Sequence, residues 1–215
     1  MTAGAASGSV HERAGWRHVR DVLRRPGAVF GALRDDSEEQ AQARQEPVLA
    51  ILILAGTAGV LMTGVARTLL DDPRRSELVV PVWAFVGGLL HGVGAYFALG
   101  ALVLLGITLV GSLATYRSAR HVLAYAAVPL ALSLVLWLPR LLLHGGDSFR
   151  TGGADAGPAG TALDLLQGGF VLWAVVLLAL GIRAYTGYGW GRAVAAAAIP
   201  AALPLAILAR GYGLV

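Results

Sequence analysis

The chain has 215 residues, of which 56% are hydrophobic and only 14% charged, and its mean hydropathy is +0.67. Soluble domains carry roughly 25% charged residues, so this balance removes most soluble-enzyme readings. It has no cysteine, which excludes disulfides, thiolate nucleophiles and Cys-ligated iron–sulfur or zinc sites, and a net charge of +4 carried by 17 basic residues, all Arg.

Residues 1–10 are small and polar, and residues 1–15 are expected to form a disordered tail. No short apolar core lies near the start, so no secretory signal peptide is expected and the first span acts as an uncleaved anchor. Over residues 16–34, Trp16, Val19, Val22 and Leu23, then Val29, Phe30 and Leu33, share one face at helical spacing. Arg17, Arg20, Arg24, Arg25 and Arg34 fill the other face. Pro26 interrupts the pattern and suits the first position of a second short helix. A cationic amphipathic segment of this kind belongs in the membrane interface; packing on the protein's own loops is the alternative. Residues 35–46 are acidic and Gln-rich, show no apolar face and read as a solvated linker.

Five apolar runs follow, which predict an all-α, polytopic transmembrane helical bundle of about five spans over residues 47–212. About 20 residues of helix cross a hydrocarbon core. The first span is Pro47 to about Ala66, with Pro47 in its first turn. The second run, Val79 to Leu113, is too long for one level span and barely enough for two, and is read as one long helix with a protruding start. The third runs from about Ser118 to Leu143 and is kinked at Pro129. His144 to Thr161 reads as a mobile loop. The fourth span is Ala162 to Ala184. The fifth, about Arg192 to Arg210, holds Pro200 and Pro204 and is expected to bend or partly unwind.

The positive-inside rule favours a cytoplasmic N-terminus over the whole chain but is even when only residues close to the spans are counted. The cationic tail, best placed at an anionic inner leaflet, decides for a multi-pass protein of the cell (plasma) membrane with its N-terminus in the cytoplasm.

Residues 20–33, Arg-Asp-Val-Leu-Arg-Arg-Pro-Gly-Ala-Val-Phe-Gly-Ala-Leu, resemble the membrane-proximal entry of bacterial Yip1-domain proteins, with a Pro followed by a Phe and a Leu. Residues 116–129, Tyr-Arg-Ser-Ala-Arg-His-Val-Leu-Ala-Tyr-Ala-Ala-Val-Pro, resemble that family's most recognisable stretch. There, a basic or polar loop leads into a Tyr and then an Ala/Pro pair inside the third span. The resemblance covers roughly residues 16 to 212 and implies the five-span fold. Eukaryotic members are linked to vesicle trafficking and Rab-type small GTPases. A bacterium lacks that machinery, so that function does not carry over.

The chain shows no His-Glu-x-x-His, Gly-x-Ser-x-Gly or phosphate-binding loop, so no catalytic, cofactor-binding or metal residue is expected. His91 is the one ionisable residue deep in a predicted span and is a candidate polar site by that fact, although a neutral His also bonds a neighbouring helix at modest cost. Gly88 and Gly92 form a GxxxG and, with Pro129, are expected inside the bundle, packing spans two and three together. Asp164 and Gln167 read as a helix start rather than as a cation ligand. Arg17, Arg20, Arg24, Arg25, Arg117 and Arg120 are the candidate contacts for lipids, chiefly anionic headgroups, or for a protein partner or second copy. Nucleic acid is not an expected partner. The expected function is a non-enzymatic scaffold or adaptor at the inner leaflet. The alternative is a small-solute transporter or channel that uses the kinked spans and His91.

Overall fold

The computed structural model describes residues 16–211; the tail expected to be disordered lies outside the described residues. Residues 16–24 are helical and form α1. α2 is Pro26–Ala32, with Pro26 in the first turn as the sequence predicts. α3 is Glu38–Leu61 and α4 Val79–Leu109. α5 (Tyr116–Ala126), α6 (Val128–Leu132) and α7 (Trp137–His144) follow one another as a broken run, with a 3-10 turn at Ser133–Leu136. α8 is Pro158–Thr186 and α9 Trp190–Gly211. Among the described residues, five stretches are long and apolar enough to cross a membrane: Glu38–Leu61, Val79–Leu109, Tyr116–Phe149, Pro158–Thr186 and Trp190–Ile207. The second apolar run is a single helix, and Pro129 interrupts the third span as expected.

Three expectations change. The linker over 35–46 is not solvated chain, because α3 begins at Glu38, well before Pro47. Ala41, Arg44 and Val48 are all buried and share one helical face, and Glu38 and Glu39 in the first turn complement the helix dipole. The His144–Thr161 stretch is also ordered, as two 3-10 turns, Gly145–Phe149 and Ala154–Ala156. Ser148, Phe149 and Asp155 are buried there, and Thr151 donates from its amide and hydroxyl to Asp71 at 2.7 and 2.6 Å. Third, α9 does not unwind at Pro200 and Pro204 but stays helical through both.

The main core joins Val22, Phe30, Ile51, Val103, Val122 and Ile182 and lies toward the end of the bundle that carries α1. A smaller cluster of Leu61, Leu69, Leu70, Trp137 and Phe149 closes the opposite end, with the Trp137 and Phe149 rings stacked at 5.6 Å. Outward-facing Phe85, Leu90, Phe97, Leu172 and Val176 remain exposed, as lipid-facing positions require. Gly88 and Gly92 are buried, but their partner is span one rather than span three. A methyl on Gly92 would run into the Leu52 carbonyl, one on Gly56 into the backbone of Gly88 and Gly92, and one on Gly88 into Thr57. Pro129 is buried on α6, which packs on α3 and α8.

Candidate functional site

The N-terminal segment is tied to the bundle by two Arg side chains that cap helix ends. Four carbonyls at each helix C-terminus lack intrahelical partners, and cations there also meet the negative end of the dipole. Arg34 donates to the carbonyls of Tyr185 and Ala184 at 2.7 and 2.8 Å, next to Gly187, which takes the left-handed conformation after α8. Arg44 donates to the carbonyls of Ala32 and Asp35 at 3.0 and 2.9 Å while only 2% exposed. Phe30 is fully buried, and its ring lies against Gly181. Most of the apolar face of the amphipathic segment is therefore committed to protein: Val22, Val29, Phe30 and Leu33 are buried rather than turned to lipid, while Trp16 at its start stays 46% exposed.

Under α1 lies a buried polar group. The His18 and Tyr125 rings meet edge to face with centroids 6.2 Å apart; Tyr125 is 0% exposed and His121 5%. His18 Nδ1, Arg44 Nε, His121 Nδ1 and the Tyr125 hydroxyl have no hydrogen-bond partner within the described protein; buried polar atoms of this kind are ordinarily bonded to ordered water. Burial, and then the neighbouring Arg44, hold the His18 pKa below its ordinary 6.5, against the opposing pull of Asp21. Docking thus favours the neutral ring. Once undocked, it regains the higher pKa and binds a proton first, so docking is most favoured above about pH 6.5 and weakens as pH falls below it. Amide exchange over residues 16–24, corrected for intrinsic rates, should be less protected at about pH 5 than at about pH 8, and His18→Gln should remove the difference. Equal protection at both pH values would rule out His18 as the group.

Arg17, Arg20, Arg24 and Arg25 are all exposed. Since Val22 fixes the opposite face of α1, they form an outward cationic surface. Arg183 and Arg192 are exposed at the same end and lie over the rings of Trp190 and Tyr188 at 4.6 and 5.1 Å. A shallow groove lined by Gly27, Leu180, Arg183, Ala184, Gly187 and Tyr188 opens beside them. The other two candidate cations are engaged within the chain. Arg117 pairs with Glu38 at 3.3 Å. Arg120 lays its stem on Gly100 and its guanidinium over Tyr116, Tyr96 and Phe97 at 4.6 to 5.0 Å, a cation–π arrangement. His91 is exposed on α4 rather than enclosed, with its ring beside Gly59.

At the opposite end, Asp164 is more than a helix start. It accepts from Arg140 at 2.6 Å and Arg67 at 2.8 Å. Arg140 is 4% exposed and also faces Asp155 at 3.9 Å. Gln167 is buried and donates to the Ser133 hydroxyl at 3.4 Å. Between the two ends, a cavity of about 190 Å³ is bordered by all five spans, with His91, Thr63 and Tyr96 as the polar residues in an otherwise apolar wall. Neither the Arg140–Asp164 pair nor the cavity had a sequence signal, since each joins segments far apart in the chain.

This arrangement of tied amphipathic entry, long second span and Pro-broken third span agrees with a family-wide comparison, in which the Yip1 domain matches residues 20–211. The chain belongs to the Yip1 domain family. The match begins inside α1, so the Yip1 domain here includes the entry helices as well as the five spans. No curated protein and no solved structure matches the chain. Among the described residues of this Yip1 domain, no three His, Asp or Glu side chains group so as to hold a metal ion.

Proposed function

We propose that this Yip1 domain protein is a non-enzymatic membrane scaffold that gathers anionic lipid headgroups at the inner leaflet, with its N-terminus in the cytoplasm. The observation that carries this is the fixed cationic face of α1. Its apolar side is locked into the core through Val22, so Arg17, Arg20, Arg24 and Arg25 stay exposed in a fixed arrangement, and Arg183 and Arg192 extend the same surface. Anionic lipid attracts each such cation by about 1 kcal/mol. A transporter has less support: the cavity wall is nearly all apolar, whereas transport paths need several polar groups at membrane depth.

The triple replacement of Arg17, Arg20 and Arg24 by Gln tests the reading. Purified protein equilibrated in mixed micelles of phosphatidylglycerol and phosphatidylcholine should retain the anionic lipid selectively. Three lost cations amount to about 3 kcal/mol, roughly a hundredfold in apparent affinity, and added salt should act in the same direction. Arg120→Gln should instead leave lipid retention unchanged and lower thermal stability, because its guanidinium is held by three rings. Equal phosphatidylglycerol retention by the triple variant would overturn the lipid reading. An N-terminal tag reached only from the outer face of cells would overturn the orientation.

A further inference from the structure

The intramembrane cavity is bordered by small side chains that no neighbour among the described residues fills. In a lipid-embedded bundle, small residues normally let helices approach closely, as Gly56, Gly88 and Gly92 do. Ala55, Ala95, Ala127, Ala174 and Ala201 behave differently: each borders open space between the spans. The wall is almost wholly apolar, so water has little to bond there, and apolar cavities stay dry. An unfilled space also forfeits dispersion contacts along its whole lining. The cavity continues toward Ile207 and His91, both exposed on the bundle surface. At this depth what lies outside is hydrocarbon, so the occupant enters from the bilayer.

We propose that the cavity binds one hydrocarbon chain of a neutral membrane lipid whose hydroxyl or carbonyl head bonds to His91. Three polar residues line the wall. Thr63 already donates to the Val60 carbonyl at 2.6 Å. Tyr96 has Arg120 over its ring at 5.0 Å. His91, near the middle of α4, has no hydrogen-bond partner among the described residues and lies across Gly59, where a larger residue would crowd its ring. A charged headgroup is costly at such depth, which selects a neutral head. This site is separate from the cationic surface of α1, and its occupant need not be anionic.

A hexadecanol carrying a diazirine on its chain is the probe, added to full-length protein in phosphatidylcholine nanodiscs and photolysed. Labelling should concentrate several-fold on the segments around Gly59 and Pro204 over the lipid-facing stretch from Phe85 to Leu90. Excess unlabelled hexadecanol should compete it away. Ala95→Phe, which fills the cavity, should remove the labelling, with Ala201→Phe as a second filling variant on another helix. His91→Leu should weaken labelling by the alcohol and spare labelling by a diazirine-bearing hexadecane. Even labelling over all lipid-facing segments, or labelling undiminished in both filling variants and without competition, would overturn the site. Loss of both probes' selectivity in His91→Leu, or of neither, would overturn the role of His91. The chain has no cysteine, so Ala95→Cys gives one further decision: rapid modification by a charged, water-borne thiol reagent would show a hydrated cavity and overturn the lipid assignment.

Discussion

Gly92→Leu should lower the thermal midpoint in detergent by about 10 °C, which corresponds to about 3 kcal/mol in a protein of this size. Lipid supplies little hydrophobic drive for helix association, so packing within the bilayer rests on close backbone approach. α3 and α4 meet where Gly56 faces Gly88 and Gly92, and the space for a Cβ at Gly92 is taken by the Leu52 carbonyl. Backbone cannot rotate out of the way as a side chain can. Gly94, two residues on, is exposed with nothing near its missing Cβ. Gly94→Leu should therefore stay within about 1 kcal/mol of the parent, the change in helix propensity being in its favour. Equal stability of the two variants would show that α3 and α4 do not pack through this face.

Arg140→Met should cost about 3 kcal/mol, because removing one member of a buried ion pair leaves the other charge uncompensated. Arg140 is almost fully enclosed and reaches Asp164 and Asp155 together. Its loss strands Asp155, whose side chain is 8% exposed, and should free the 145–157 segment to proteolysis. Arg67 contacts the other oxygen of Asp164 from a half-exposed position, 46% accessible, so Arg67→Gln should change stability by no more than about 1 kcal/mol. Parent-like unfolding and protease resistance in Arg140→Met would mean that burial of Phe149 and Ser148 holds this segment without the ion pair.

Much of the architecture was legible in the amino-acid sequence. The five apolar runs, the single helix from Val79, the break at Pro129 and the helix restart at Pro26 each depend on local composition or on proline's fixed φ and missing N–H. The Yip1 resemblance rested on the same short stretches, residues 20–33 and 116–129. The exposed Arg17, Arg20 and Arg24 followed from helical periodicity alone.

What only the tertiary structure decided involves partners far apart in sequence. Residues 35–46 read as a solvated linker because a stripe containing Arg44 scores as polar. Arg44 is buried because carbonyls nine and twelve residues back accept its protons. The loop after His144 looked mobile until Arg140 met a carboxylate 24 residues on. The apolar face of the entry helices looked like a lipid anchor because periodicity says which side is apolar and not what covers it. Gly88 and Gly92 declared a close contact without naming the helix that makes it. His91 looked enclosed because its depth in a span can be counted, whereas the direction it faces cannot. Hydropathy measures a residue's own transfer into an apolar medium. Whether a buried cation is satisfied, or a small residue meets a backbone or an open cavity, depends on groups brought together only when the five spans pack.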